Sequence, residues 1–212
     1  MNSDRSCYFR AVSAKSEKRR RSDGERTYNA ILAASAELAT VEGLDGLSIG
    51  RLAEHLGMSK SGLYAHFDSK EELQLATIDA AGAVFEREVV APAEAAPTPR
   101  ARLEGLCDHF LSHVERRVFP GGCFFASAAA EVDTHTGRVR EKVAAFMSGW
   151  LGKLAGHARE AQAAGELDAT EDPEQLAFEI EGYLLLANNL FVLNGDGREL
   201  DRARLAVRRR LA

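Results

Sequence analysis

Residues 48–73 read SIGRLAEHLGMSKSGLYAHFDSKEEL, and three helix starts are written into those 26 positions. Ser48 predicts an N-cap for a short helix over about 49–55, stopped at Gly57. Ser59 predicts another over about 60–66, and Ser69 with Glu72 three residues on forms a capping box for a longer helix. Two short helices joined by a tight glycine-containing turn have the dimensions of a helix-turn-helix, whose second helix can lie in a DNA major groove. Leu52, Ala53 and Leu56, then Met58, Leu63 and Phe67, are the residues that would hold the pair together, with Ala53 small enough to let the helices approach. Lys60, Ser61, Gly62 and Tyr64 fall on the opposite face, with His66 at its end. Lys60 and Ser61 can reach base edges, a bare Gly62 allows close approach, and Tyr64, His66 and Lys70 are placed for phosphates, Lys70 beside the positive end of the next helix.

Working outward, the apolar residues keep helical intervals. A helix over about 25–41 carries Ile31, Ala34, Leu38 and Val41 on one face. The helix opened by Ser69 carries Leu73, Ala76, Ala80 and Val84, and fades into a connector marked by Pro92, Pro97 and Pro99. Further helices are expected at about 100–117, 124–132, 137–164, 173–194 and 198–210, the fourth of these begun by Asp172 and Pro173. The expected fold is all-α: a helix-turn-helix domain over 25–85, motif 48–67, followed by a larger helical domain over 86–212.

This string resembles the DNA-binding domain of the tetracycline-repressor (TetR) family of bacterial transcription regulators. The match runs over about 25–85 and rests on Ser48, Leu52-Ala53, Gly57-Met58-Ser59 and the unbroken run Leu63-Tyr64-Ala65-His66-Phe67-Asp68-Ser69-Lys70-Glu71-Glu72-Leu73. The resemblance implies phosphate contacts for Tyr64, His66 and Lys70 and one near Thr27. Many members carry Gly at the position of Ser61 and a small polar residue at that of Gly62, so this chain presents the pair in reverse order. DNA-contact candidates are therefore Thr27, Ser48, Lys60, Ser61, Gly62, Tyr64, His66 and Lys70.

The formal net charge of −5 argues against a nucleic-acid partner until it is divided. Residues 1–70 hold 11 basic and 9 acidic side chains, while 71–212 hold 16 and 23. A slightly basic front thus sits on an acidic body. Residues 1–24, with Lys15, Lys18, Arg19, Arg20 and Arg21, read as a disordered basic arm without the apolar stretch of a secretory signal; it either touches DNA beside the site or has no role. Three cysteines, Cys7, Cys107 and Cys123, without a paired spacing point to a reducing compartment, the cytoplasm. No stretch reaches the ~20 apolar residues of a membrane span.

Two other motifs are weighed. Gly46-Leu47-Ser48-Ile49-Gly50 matches a hydrolase nucleophile elbow, which needs a strand before the serine; here a helix and loop precede it, and capping accounts for Ser48. Cys107, His109 and His113 share a helix but supply no clear metal set. The 173–194 helix is apolar all round, which requires burial on two sides, so it and 137–164 are expected to pair with a second copy into a four-helix bundle. Phe110, Cys123, Phe124, Phe125, Phe146, Trp150 and Tyr183, with His113 and Asn188 as polar anchors, are expected to line a small-molecule effector pocket, a role the resemblance also implies. The expected protein is a homodimeric, ligand-responsive repressor on a palindromic operator, not an enzyme, with coupling through the fourth helix and no cofactor or metal. The competing reading is a small all-α enzyme or ligand carrier using the same pocket.

Overall fold

The computed structural model describes residues 24–212, in which every regular element is helical. Cys7 and the basic cluster at 15–21 lie outside the described residues. Helix α1 occupies 24–42. It is followed by α2 (Ile49–Leu56), α3 (Lys60–Tyr64) and α4 (Lys70–Phe85), then a π-helical turn (Glu86–Val90) running into α5 (Ala91–Glu94). The rest is α6 (Pro99–Glu115), α7 (Phe124–Val132), α8 (Arg138–Ala163), α9 (Pro173–Asn194) and α10 (Arg198–Arg210).

The starts are set by side chains near in sequence. The hydroxyls of Ser48, Ser59 and Ser69 accept the N–H groups of Arg51, Gly62 and Glu72 at 3.1–3.2 Å, and Asp172 accepts that of Glu174 at 2.9 Å. Gly57 ends α2 at φ +62°, a conformation that favours glycine. The capping box at Ser69 is only half made, because the Glu72 carboxylate accepts from Asp68 N–H (3.3 Å). Thr98 caps α6 ahead of Pro99, a start the composition of the connector concealed.

The side chains sort into two packed clusters. Ile31, Leu32, Ala34, Ile49, Leu52, Ala53, Leu63, Phe67 and Leu73 form the small one. The larger draws on α4 to α10 and reaches back to Ala36, Ala39, Leu44 and Leu47. Helix α1 thus serves both, Leu38 packing against each, and this double duty moves its buried face from the 31/34/38 line to 36 and 39. Val41 is left 65% exposed, contrary to its expected place in the stripe. In α4 the buried line is Gln74, Thr77, Ile78, Ala81 and Phe85, facing the body, while the expected Ala76, Ala80 and Val84 form its half-buried margin.

α6 ends at Glu115, two residues before its expected end, and two other differences have a visible cause. α3 ends at Tyr64, two residues early, because Phe67 must fold back into the small core; His66 N–H bonds Leu63 O at 2.9 Å in a tighter turn. The expected connector at 91–99 begins as helix. Pro92 has no N–H to give and crowds the carbonyl four residues before it, and the π-turn widens the backbone just there, with Ala91 N–H reaching Glu86 O.

α8 and α9 pack antiparallel, with α10 and α6 behind α9 and α4 against α8. α9 has the length and mean hydropathy of a membrane span, but Leu176, Ile180, Leu184, Ala187 and Phe191 are buried in the body. Its other side is open. Phe178, Leu186 and Leu193 are 68%, 60% and 79% exposed, in line with Gly182, and beside them α8 exposes Ala145, Gly149 and Gly152.

Candidate DNA interface and effector cavity

The small cluster fixes the direction of α3. With Leu63 fully buried and Ser59 capping the first turn, Lys60, Ser61 and Tyr64 point to solvent, Tyr64 57% exposed. Ser61 Oγ lies 3.2 Å from Ser59 Oγ, and Gly62 is half-buried against that same hydroxyl. His66 is half-buried, its ring 6.2 Å from that of Tyr28, which stacks on Phe67. Thr27 sits in the first described turn of α1. Ser48 is engaged as a cap, in a loop between helices. Lys70 differs from expectation: its ammonium donates to Asp45 O at 2.6 Å, and Glu71 and Glu72 follow it in the first turn of α4, so it is spent partly on the fold.

The turn between α1 and α2 is held from several sides. Glu131 of α7 accepts Leu44 N–H at 2.6 Å and Asp45 N–H at 2.7 Å. Buried Gln74 donates to Leu44 O (3.0 Å) and Asp45 Oδ1 (3.1 Å), and His135 Nδ1 lies 3.6 Å from Asp45 Oδ2. Gly43, at φ +85°, leaves room for the carboxylate; a Cβ there would lie 2.9 Å from Glu131 Oε1.

Five of the nine expected pocket residues meet at one cavity. Phe110, Cys123, Phe125, Phe146 and Trp150 line it together with Phe85, Ala126, Met147, Glu181 and Leu185. Phe85 is the hub, edge-on to Phe110, Phe125, Phe146 and Trp150. Phe125 and Phe146 stack face to face, and the space left is about 10 Å³, room for no more than a water. The other four lie elsewhere. Phe124 is buried between Phe119 and Phe125. Asn188 is committed to structure, its Oδ1 accepting Cys123 N–H at 2.9 Å. Tyr183 borders a separate surface groove of about 490 Å³ with Leu186, Ala187 and Arg202, because it lies half-buried on the margin of the buried face of α9.

His113 is 1% exposed between Phe85 and Phe119, and neither ring nitrogen has a hydrogen-bond partner. Burial pushes its pKa down to about 4, so the ring is neutral. Among the described residues no group of three side chains could hold a metal, and Cys107 is sealed in the core with its thiol pushed up by burial.

The residue that sequence reasoning missed is Glu181. It is 6% exposed in an aromatic wall, and its carboxylate accepts Trp150 Nε1–H at 2.7 Å. Burial outweighs that bond and raises its pKa to about 7. It is a titratable polar point in an otherwise apolar cavity. Its only sequence signal was that, of the three glutamates of α9, it alone falls between Ala177 and Leu184 in the helical register those two share with Asn188.

A larger groove of about 650 Å³ lies between α1 and α4, bordered by Tyr28, Leu32, Asp79, Ala80 and Phe119. It is open to solvent at the junction of the two clusters.

Residues 31–77 match the family described as bacterial regulatory proteins, tetR family, and residues 99–207 match the tetracyclin repressor-like C-terminal domain. The crystal structure of a TetR transcriptional regulator from Chloroflexus aurantiacus superposes with a TM-score of 0.80 at 30% identity, covering 87% of this chain and 93% of that one. AibR, solved in complex with isovaleryl coenzyme A and operator DNA, gives a TM-score of 0.70 at 26% identity over 85% of this chain and 97% of its own. Among curated proteins, the transcriptional regulator AcuR of Cereibacter sphaeroides is 26% identical over 73% of this chain and 71% of its own length. With both halves matched in order on one all-helical fold, the chain belongs to the TetR family of DNA-binding transcriptional regulators.

Proposed function

We propose that this protein represses transcription as a homodimer on a palindromic operator and releases it when a small apolar ligand opens the aromatic cavity. The head, 25–85, reads DNA and the body, 86–212, senses and dimerises. The observation that carries the DNA half is the outward face of α3, where Lys60, Ser61 and Tyr64 are exposed while Leu63 anchors the helix. Lys60 and Ser61 meet base edges; Tyr64, His66, Thr27, Ser48 and the charge of Lys70 meet phosphates.

The exposed line Phe178, Gly182, Leu186 and Leu193 on α9, beside the small residues of α8, supports the dimer. Such a stripe is covered in a four-helix bundle with a second copy, which sets two recognition helices about one DNA turn, roughly 34 Å, apart. Glycines 149, 152 and 182 have open space above them, so helices can approach closely.

The cavity has room for about 10 Å³, so an occupant must part Phe125 from Phe146, entering past the half-buried Phe146, Met147 and Leu185. Glu181 offers it one polar contact. The solved complex of AibR with an acyl coenzyme A and operator DNA supports the ligand-responsive reading. A ligand preferring the open form by ~1.4 kcal/mol lowers operator affinity tenfold. A protein that acts on DNA in this way works in the cytoplasm.

Two measurements test this. A duplex carrying its own promoter region should shift with the protein and lose the shift as salt rises. Trp150, the chain's one tryptophan, borders the cavity, so a ligand bound there changes its emission directly. A ligand that releases DNA without touching that emission would point to the α1–α4 groove instead.

A further inference from the structure

We propose that α7 links the cavity to the DNA head, and that Glu131 is the positioning residue through which it does so. The inference rests on the DNA-binding and ligand-responsive reading above, but it concerns a route distinct from α4. At its first turn α7 lines the cavity with Cys123, Phe125 and Ala126. At its last turn Glu131 holds the backbone of Leu44 and Asp45 at 2.6 and 2.7 Å. From Phe125 to Glu131 is six residues along one helix, a rise of about 9 Å at 1.5 Å per residue.

The contact is built for control of position. Both carboxylate oxygens are used, each on a backbone amide, so the turn is gripped at two successive residues and cannot pivot about one bond. Hydrogen bonds to an ionised acceptor are roughly twice as strong as neutral ones. Gly43 admits the carboxylate at a distance any side chain would block. Three residues after Asp45 stands Ser48, which caps α2, so whatever places the turn also places the helix-turn-helix. Lys70 and Gln74 of α4 bind the same turn from the other side, through Asp45 O, Leu44 O and Asp45 Oδ1. The turn is therefore clamped between α4 and α7, and a shift of α7 relative to α4 re-aims the head.

The cavity end is equally specific. Phe125 stacks on Phe146 of α8, so a ligand that enters must move α7 or α8. Asn188 ties the α7 N-terminus to α9 through Cys123 N–H. Where α7 moves, this tie makes its N-terminal end the pivot and its Glu131 end the part that swings.

The test compares Glu131→Gln, Phe125→Leu and the double variant in the full chain. Gln keeps the volume of Glu but turns one acceptor into an NH2 donor facing an amide donor, so a purely space-filling role predicts no change. Amide hydrogen exchange at Leu44 and Asp45 is the first readout, and affinity for a duplex carrying the protein's own promoter region the second. Glu131→Gln should lower protection at both amides at least tenfold. Phe125→Leu, remote from the turn, should also lower it several-fold. In the double variant the two effects on DNA affinity should not add, since the route is already cut.

Unchanged protection in Phe125→Leu, or additive effects in the double variant, overturns the proposal. If the unaltered protein fails to bind the duplex, the regulatory reading falls, while the exchange data still decide whether α7 connects cavity and turn.

Discussion

Replacing Glu181 with Gln should stabilise the protein at alkaline pH and hardly at all at acid pH. The carboxyl is 6% exposed, and its pKa stands at about 7 against an ordinary 4.5. A group whose folded pKa is raised contributes stability that is complete below its unfolded pKa and is lost as pH rises through the folded one. Two and a half pH units correspond to ~3 kcal/mol at 1.36 kcal/mol each. Most of that is lost between pH 4.5 and 7, and above pH 7 the native state carries a buried charge with only Trp150 Nε1–H to satisfy it.

Gln retains an acceptor for that N–H and carries no charge. The difference in unfolding free energy, variant minus unaltered protein, should therefore be small at pH 4 and grow by ~3 kcal/mol by pH 8.5. Urea titrations across this range measure it, at one protein concentration because a dimer's stability depends on concentration. Other titrating groups cancel in the difference. His113 is present in both proteins, and the neighbouring Cys123 titrates only near pH 11. A difference that stays flat from pH 4 to 8.5 refutes the reasoning, because it means the carboxyl ionises in the folded protein as it does in the unfolded chain.

Three further outcomes are expected. Replacing His113 with Leu should stabilise progressively below pH 6.5: the folded pKa of about 4 lies below the unfolded value, so stability is lost as pH falls, by about 2 kcal/mol between pH 8 and 5, and denaturant titrations at both pH values measure it. Leu186→Glu puts a charge in the exposed stripe of α9 and should yield a 23.0 kDa species by sedimentation at micromolar concentration, where the unaltered protein sediments as a dimer. Tyr64→Ala should weaken binding to all duplexes about equally, by roughly tenfold (~1.4 kcal/mol), whereas Lys60→Ala should change the order of preference among operator variants; uniform loss in both would place Lys60 on phosphates.

The sequence displayed what local chemistry writes. Ser48, Ser59, Ser69 and Asp172 begin helices through atoms two or three residues away, and Gly57 ends one through its own φ, so these boundaries stand as read. The outward face of α3 was legible for the same reason: once Leu63 is known to be inward, Lys60, Ser61 and Tyr64 must be outward. The misreadings lie where two distant segments decide together. Val41 turned outward because α1 answers to two cores. Asn188, Phe124 and Tyr183 have the composition of pocket residues, but which face of α7 or α9 meets the cavity is settled by tertiary packing. Glu131 gave no sign at all, since its partners are amides 86 and 87 positions away and any residue has an amide.

The π-turn at 86–90 bears on how the helix from the head is seated in the body. It follows the helix that begins at Lys70 on the head and is already packed in the body through Ile78, Ala81 and Phe85, and its own Val89 and Val90 are buried there too. One residue of an α-helix advances the azimuth by about 100°. The turn therefore acts as a one-residue shim in a shaft, setting by a count of residues how Phe85 before it and Ala93 after it come to face the same core. Shortening the segment by one would turn α5 about a quarter turn out of register with α4, so that Val89, Val90 and Ala93 could not all stay buried with Phe85. The seat in the body of the helix that carries the head is in this sense encoded in chain length.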